Sequence, residues 1–241
     1  MVSEERQNQH KRQAGEAAVR FVESGMVIGL GHGSTAVWAL RLIAAKVREG
    51  SLRELLIVPC SSQVAAEARE AGLTLSAFHD LPAIDLTIDG ADQVDDRLNL
   101  IKGAGGALLR EKIVAQASRR EIIVVDGGKV VAQLGGDLRL PVELLPFGLA
   151  SQLRFLQGLG ADVRLRPGPG QELFRSDEGH VIADCAFGPL QDPHALATML
   201  DNRAGIAGHG LFLGLATDLI IVDDTGCHHR QATLSREEAG S

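Results

Sequence analysis

The segment LIKGAGGALLREKIVA, residues 100–115, combines a lysine, a glycine-rich turn and a glutamate. Glycines let backbone N–H groups approach a ligand closely, and the N-terminus of a helix attracts negative charge. Lys102 and the glycines that follow it therefore predict an anion-facing turn at the start of a helix. A carboxylate, Glu111, follows in the same helix, and its presence beside such a turn needs a chemical explanation.

The spacing of apolar residues in this helix separates Glu111 from the core. A helix that begins near Gly106 has a broad apolar arc, which comprises Leu108, Leu109, Ile113 and Val114. Glu111 lies outside this arc and is predicted to face a cleft. Arg110 and Lys112 are predicted to be solvated, as most arginines and lysines on helix surfaces are.

The loop GLGHGSTA at 29–36 carries groups that suit a phosphate. It lacks the third glycine of a dinucleotide fingerprint, so a nicotinamide site is not predicted. Its residues Gly31, Gly33, Ser34 and Thr35 have two interpretations. They either bind a phosphate through N–H groups and hydroxyls, or they form an ordinary turn with a helix N-cap.

The loop DGADQVDD at 89–96 is acidic but lacks the spacing of a calcium loop. Asp89 and Asp92 either accept hydrogen bonds from sugar hydroxyls or fix a turn. Four histidines are the other candidate metal ligands, and their spacing matches no metal-binding motif. They are His32, His209, His228 and His229. We therefore predict no metal site.

The order of elements around these loops predicts how they are positioned. Short, continuously apolar strands alternate with amphipathic helices, beginning with a helix over 4–24 and a strand near 26–30. Continuous apolar strands are typical of a parallel sheet buried on both faces. The predicted fold class is α/β, with a doubly wound, mostly parallel, Rossmann-like sheet. The glycine turn, the DGAD loop and DGGK all follow strands, so they should converge at the carboxyl ends of that sheet.

A change of character along the chain predicts a second, smaller domain. Residues 133–205 contain two prolines in LPVELLPFG, hairpin-like strands and a helix at DPHALATMLDN, which together indicate an α+β unit. The apolar strand near 218–222 is expected to rejoin the first sheet, so residues 1–132 and 206–226 form one catalytic domain. Residues 227–241 are polar and are predicted to be a frayed tail.

The composition excludes several classes of function. A formal net charge of −7 and 3% aromatic residues, none of them tyrosine, argue against nucleic acid and anionic membranes as partners. No apolar run approaches the length of a membrane span, and the charged N-terminus lacks the apolar core of a signal peptide. Cys60, Cys185 and Cys227 are distant and odd in number, which favours a reducing compartment. We therefore expect a soluble cytoplasmic protein.

Five separated motifs carry a resemblance to one enzyme family. They are GLGHGSTA, DGADQVD, KGAGGALLREKIVA, VDGGK and LPVELLPFG, in this order and spacing. From about residue 10 to residue 226 the chain resembles ribose-5-phosphate isomerase of type A. The resemblance implies interconversion of ribose 5-phosphate and ribulose 5-phosphate in the non-oxidative pentose phosphate pathway, without a metal or other cofactor. It also implies a homodimer or homotetramer.

The resemblance assigns roles to the matching residues. Glu111 would be the base that moves a proton between C2 and C1, and Lys102 with nearby N–H groups would stabilise the enediolate oxygen. Asp89 and Asp92 would bind hydroxyls and assist ring opening. The residues expected to contact substrate are His32, Gly33, Ser34, Thr35, Gly90, Ala91, Asp92, Gly103, Ala104, Gly105 and Lys129. The chemistry of these residue types agrees with the roles that the resemblance implies, because removing a proton beside a carbonyl requires a base next to donors that stabilise the oxyanion.

Three positions depart from the family pattern. His32 replaces the usual threonine, Gln93 the usual glutamate and Ala104 a further glycine, which matters if that residue needs a positive φ. His32 and Gln93 leave open an isomerase of another aldose phosphate. A sugar-phosphate sensor without activity and an acyl-CoA transferase relative are further alternatives, although a sensor of the repressor type would need a DNA-binding module.

Overall fold

The computed structural model describes residues 4–76, 78–80, 83–170 and 172–232. Its helices, in chain order, are α1 (Glu4–Val19), α2 (Ala36–Arg48), α3 (Ser62–Glu70), α4 (Leu108–Gln116), α5 (Leu149–Gly158) and α6 (Pro193–Asp201). Its strands are β1 (Val27–Leu30), β2 (Leu56–Pro59), β3 (Leu86–Asp89), β4 (Gln93–Val94), β5 (Leu100–Ile101), β6 (Glu121–Asp126), β7 (Leu140–Leu144), β8 (Asp162–Leu165), β9 (Val181–Ala186), β10 (Ile206–His209), β11 (Leu211–Phe212), β12 (Asp218–Asp223) and β13 (Gly226–Gln231). None of these helices has the length and apolar character that crossing a membrane requires.

Six strands form the central sheet, in the order β13-β12-β6-β3-β1-β2. All neighbouring pairs are parallel except β12 with β13. Strands β3 and β6 are buried along their whole length, as continuous apolar strands in a covered parallel sheet should be. The predicted α/β fold is confirmed. The chain passes from β1 to β2 on one side and then to β3 on the other, so β1 and β3 border the topological switch point where such folds bind ligands.

Alternate residues of β6 show that helices cover both faces of this sheet. Ile122 and Val124 pack in a core with residues of α1, α2 and α3. Ile123 and Val125 pack on the opposite face with Ala115 of α4 and with residues of β5 and β11. Because α4 is held against this second face, its first turn lies near the carboxyl ends of the strands.

A small antiparallel sheet forms a separate unit with the order β10-β7-β9-β8. Apolar residues of its strands pack against α5 and α6. The predicted range of 133–205 ends too early, because β10 pairs with β7 through His209 and Val142. A local sequence pattern does not show which distant strand a segment will pair with, and this pairing moves the boundary of the unit.

Two further features differ from the sequence prediction. Strands β4, β5 and β11 form a third, short antiparallel sheet, and Lys102 directly follows β5. The frayed tail predicted from residue 227 is wrong up to residue 231, because β13 pairs with β12 throughout. The residues of β13 are exposed and polar because this strand forms the edge of the sheet. Residues 233–241 of the predicted tail lie outside the described residues.

Candidate active site

Lys102 lies at the centre of a buried cluster of charges. Its Nζ lies 2.9 Å from Asp89 Oδ2 and 3.2 Å from Glu111 Oε1, and it donates a 2.5 Å hydrogen bond to the carbonyl oxygen of Gly90. Asp89 ends β3, Lys102 follows β5, and Glu111 belongs to the first turn of α4. The three charged side chains are at most 4% exposed. Three segments that are distant in sequence thus bring one cation and two carboxylates into contact.

The charges in this cluster shift one another's pKa values. Burial raises the pKa of Glu111 to about 8, while Lys102 opposes this shift and Asp89 adds to it. Burial also raises the pKa of Asp89, against the attraction of Lys102. Burial would lower the pKa of Lys102, but Asp89 and Glu111 outweigh burial and the pKa is raised. At neutral pH the lysine therefore stays charged, and Glu111 can both accept and return a proton.

The two carboxylates use their oxygens differently. Asp89 Oδ1 accepts a 2.7 Å hydrogen bond from the N–H of Gly90, and Oδ2 faces Lys102. Glu111 Oε2 is buried and has no hydrogen-bond partner among the described residues. The unpartnered oxygen of Glu111 can accept a proton from a ligand, whereas the contacts of Asp89 hold Lys102 in place.

A cavity of about 120 Å³ opens beside this cluster. It is lined by Gln7, Lys11, His32, Gly33, Ser34, Thr35, Gly90, Ala91, Asp92, Lys102, Gly103, Ala104, Gly105, Glu111 and Lys129. Every residue predicted to contact substrate is in this lining, and Asp89 is not. Sequence reasoning missed Gln7 and Lys11, because a charged surface helix gives no local sign that it borders a cleft.

The turn at 103–106 presents backbone groups to this cavity. Gly103 and Gly106 have positive φ values of 105° and 83°, which favour glycine. Ala104 is not among the non-glycine residues with positive φ in the described part of the chain. Its N–H donates a 2.9 Å hydrogen bond to Asp92 Oδ2. Alanine therefore fits at this position of the turn without backbone strain.

The loop that follows β1 contributes hydroxyls and an imidazole. Thr35 occupies the N-cap position of α2, but its side chain makes no capping hydrogen bond. Its hydroxyl is therefore not used to cap the helix, and the neighbouring Ser34 is exposed. His32 Nδ1 lies 2.9 Å from Ser61 Oγ, and a Cβ at Gly105 would overlap the His32 ring. The imidazole thus packs directly on the glycine turn.

Comparison of the sequence with proteins of known identity indicates one family. The family model for ribose 5-phosphate isomerase A (phosphoriboisomerase A) matches residues 56–226. The chain belongs to the ribose-5-phosphate isomerase A family. A ribose-5-phosphate isomerase A of Chloroflexus aurantiacus is 51% identical over 91% of this chain and 92% of its own length. The corresponding protein of Desulfatibacillum aliphaticivorans is 46% identical over 92% of this chain and 96% of its own.

Solved structures of ribose 5-phosphate isomerases share the fold. The enzyme of Plasmodium falciparum gives a TM-score of 0.89 at 34% identity and covers 93% of this chain and 98% of its own. A D-ribose-5-phosphate isomerase in complex with phospho-erythronic acid gives a TM-score of 0.90 at 32% identity, with coverages of 92% and 98%. The resemblance identified in the sequence is confirmed, and the chain is an aldose–ketose isomerase.

Arg110, the residue before Glu111 in this isomerase, is not the solvated side chain that its position predicted. It pairs with Asp177 at 3.1 Å and with Glu178 at 2.6 Å, and its side chain is 35% exposed. Both partners belong to the loop between β8 and β9. The prediction failed because these carboxylates come from the small unit, far away in sequence.

Lys112 and Ile113 also differ from the predicted helix pattern. Lys112 Nζ lies 3.3 Å from His209 Nδ1 and 5.1 Å from the ring centroid of Phe212. Burial lowers the pKa of Lys112 to about 8. Ile113, which was placed in the apolar arc, is 44% exposed. Strand β10 and Phe212 cover the Lys112 side of α4 and leave the Ile113 side open.

Two of the four candidate histidines each lie beside a single carboxylate. His209 Nε2 lies 3.0 Å from Asp201 Oδ1, and His229 Nε2 lies 2.6 Å from Asp218 Oδ1. Within the described ranges, no group of three or more His, Cys, Asp or Glu side chains is arranged to hold a metal ion.

Proposed function

We propose that this isomerase interconverts D-ribose 5-phosphate and D-ribulose 5-phosphate through an enediolate, with Glu111 as the base. The observation that carries this proposal is the contact of Lys102 with both Asp89 and Glu111, at 2.9 and 3.2 Å. Glu111 removes the C2 proton of the open-chain aldose, and the electron pair of the C–H bond forms the C1=C2 bond of the enediolate. Glu111 then returns the proton to C1, while O2 loses its proton and O1 gains one, which gives the ketose.

Lys102 and the glycine turn stabilise the negative oxygen of this intermediate. A buried ammonium and fixed N–H groups are worth more in a water-poor site than in solution. Asp92 lines the cavity and accepts a hydrogen bond from a substrate hydroxyl, which also assists opening of the sugar ring. Asp89 acts through Lys102, in keeping with its contacts and its burial.

The phosphate binds among the hydroxyls and cations of the cavity lining. Ser34 and Thr35 supply hydroxyls, while Lys11 and Lys129 supply positive charge. A solved relative is in complex with phospho-erythronic acid. We expect the same ligand to compete with substrate here, because its carboxylate carries negative charge where the enediolate develops it.

The test compares Glu111→Gln with wild type on ribose 5-phosphate in D2O. Glutamine keeps the shape of the side chain but cannot accept the C2 proton, so kcat and C2 deuterium exchange should fall at least about 100-fold while binding persists. Glu70→Gln is the matched control, because Glu70 is exposed on α3.

Three results would contradict parts of this proposal. A folded Glu111→Gln protein with normal kcat would refute the role of the base. A wild type that binds the sugar phosphate but exchanges no C2 hydrogen with solvent would favour a sensor. Faster turnover of another aldose phosphate would move the substrate assignment and leave the mechanism intact.

Self-association and a cytoplasmic location belong to the same proposal. Four large apolar side chains are exposed in the described part of the chain, and Phe147 is 93% exposed. They are Ile113, Leu145, Phe147 and Met199. Exposed apolar surface supports a homodimer or homotetramer, and light scattering measures the mass of the particle directly.

The cytoplasmic location is supported by the cysteines. Cys60 and Cys185 are buried free thiols, which a reducing compartment preserves.

A further inference from the structure

Arg166, which follows β8 in the small unit, forms hydrogen bonds with the glycine turn of the candidate active site. Its Nη1 donates hydrogen bonds to the carbonyl oxygens of Gly103 at 2.9 Å and Ala104 at 3.0 Å. Its Nε and Nη2 donate to the two carboxylate oxygens of Asp184 on β9, at 3.0 and 2.5 Å. The Arg166 side chain is 13% exposed and that of Asp184 is 21% exposed. One guanidinium thus joins the small sheet to two consecutive peptides of the site.

The direction of these carbonyls determines where the next N–H groups point. In a trans peptide the C=O of one residue and the N–H of the next lie on opposite sides. Because the carbonyls of Gly103 and Ala104 face Arg166, the N–H groups of Ala104 and Gly105 face away from it. The Ala104 N–H bond to Asp92, a residue of the cavity lining, agrees with this geometry.

The turn needs such an anchor because glycine is conformationally permissive. Gly103 has a φ of 105°, and Gly105 belongs to the same glycine-rich segment. Glycines lose more conformational freedom than other residues when they are ordered, so an unanchored turn would present its N–H groups in several directions. Asp184 fixes the plane of the guanidinium through a bidentate pair. The residue before a proline is also restricted, and Pro167 follows Arg166.

We propose that Arg166 is a positioning residue for the isomerisation: it holds the 103–105 turn so that the Gly105 N–H is presented to the enediolate oxygen. This inference rests on the proposed function. Arg166 touches neither Glu111 nor Lys102 in any hydrogen bond or ion pair among the described residues. It therefore affects stabilisation of the oxyanion and leaves the base unchanged. The positive charge of Arg166 next to the two carbonyl oxygens also polarises these peptides, which strengthens their N–H groups as donors.

The test is Arg166→Gln, with Arg164→Gln as the matched control. Arg164 lies on β8, its side chain is 70% exposed, and its ion pair is with Asp162. Loss of one oxyanion donor costs about 100- to 1,000-fold in kcat, so misorientation of the turn should cost about 10- to 100-fold. We expect KM to change by less than about threefold, because the ground-state carbonyl gains little from this donor. Affinity for phospho-erythronic acid should fall with kcat, and the pH profile should keep its wild-type inflection.

A merely structural role predicts a different result. If Arg166 only joined the two units, the melting temperature would fall, but the folded Arg166→Gln enzyme would keep its kcat and its affinity for the acid phosphate. That result, or a kcat within about threefold of wild type, would overturn the proposal. Arg166→Lys should recover only part of the lost kcat, because one ammonium cannot replace a planar fork that contacts both carbonyls and Asp184.

Asp184→Asn supplies a second test if Arg166→Gln does not fold. It keeps the guanidinium but removes the charge that fixes its plane, so kcat should fall with KM preserved, and an unchanged kcat would overturn the proposal. Failure of the proposed function has a separate signature. It would appear as an inactive wild type or a fully active Glu111→Gln protein, whereas the Arg166 comparison is made in an enzyme whose wild type turns over.

Discussion

Replacing Asp89 by asparagine tests the electrostatics of the site without altering Glu111, the proposed base. Asp89 and Glu111 both lie within 3.2 Å of Lys102 Nζ, so their nearest oxygens are about 6 Å apart at most. Two unit charges at this separation interact by about 3 kcal/mol at an effective dielectric constant of about 20. That free energy corresponds to about two pKa units.

The sign of the effect follows from the charge that is removed. Asp89 raises the pKa of Glu111, which is about 8, so the pKa of Glu111 should fall in Asp89→Asn. We expect a fall of about one to two units. As the proposed base, Glu111 works in its ionised form, so kcat/KM of the wild type should rise with pH up to about 8. In Asp89→Asn the plateau should begin at a correspondingly lower pH.

Initial rates measured from about pH 5.5 to about pH 9.5 separate this shift from a loss of rate. Asp96→Asn is the matched control, because Asp96 belongs to the same acidic loop and its side chain is 80% exposed. The control makes the same change in formal charge and should keep the wild-type inflection. A folded Asp89→Asn enzyme whose acid limb stays at the wild-type pH would refute the coupling between the two carboxylates.

Three further predictions concern the phosphate, the stability and metals. Lys129→Ala should weaken binding of ribose 5-phosphate by about 1.5–3 kcal/mol, the value of a charged hydrogen bond, and should therefore raise KM. Lys46→Ala should leave KM unchanged, and an unchanged KM in Lys129→Ala would contradict the phosphate role. Burial and Lys112 lower the pKa of His209 to about 4. The folded state therefore binds fewer protons than the unfolded chain between about pH 4 and pH 6.5, and stability falls as pH falls across this window. Denaturant unfolding of His209→Gln should show a shallower fall, and an identical pH slope would disprove the linkage. Exhaustive treatment with EDTA should leave kcat unchanged, since Lys102 supplies the positive charge at the reacting oxygens, whereas loss of turnover that a divalent ion restores would contradict this mechanism.

The loops of the site were predictable because a parallel sheet leaves them at one edge. GLGHGSTA, DGAD and VDGGK each follow a continuously apolar strand, a pattern that needs no knowledge of distant contacts. The cavity contains residues from all three loops and from the glycine turn. Residue types then indicated the chemistry that we propose, because a lysine, a glycine turn and a glutamate are what proton transfer beside a carbonyl requires.

The parts that were not predictable depend on long-range partners. Arg110 reaches Glu178 over 68 positions, and Arg166 reaches Gly103 over 63 positions. A local pattern records that an arginine is present but not which segment folds against it. The prediction of a frayed tail from residue 227 failed for the same reason. An exposed edge strand and a frayed polar tail have similar compositions, and only the pairing of β13 with β12 distinguishes them.

In the proposed mechanism, the strength of Glu111 as a base results from a balance of opposing effects. An ordinary glutamate has a pKa of 4.5 and is a weak base for a proton on carbon, whereas burial raises the pKa of Glu111 to about 8. Greater burial without compensation would keep the carboxyl protonated and remove the base. Lys102 and the N-terminus of α4 oppose this by favouring the ionised form. A base is most effective when its pKa lies near the working pH, since it is then partly ionised and still strongly basic. The ammonium that stabilises the enediolate in the proposed mechanism therefore also keeps Glu111 ionisable, and this double task explains why Lys102 is buried between two carboxylates.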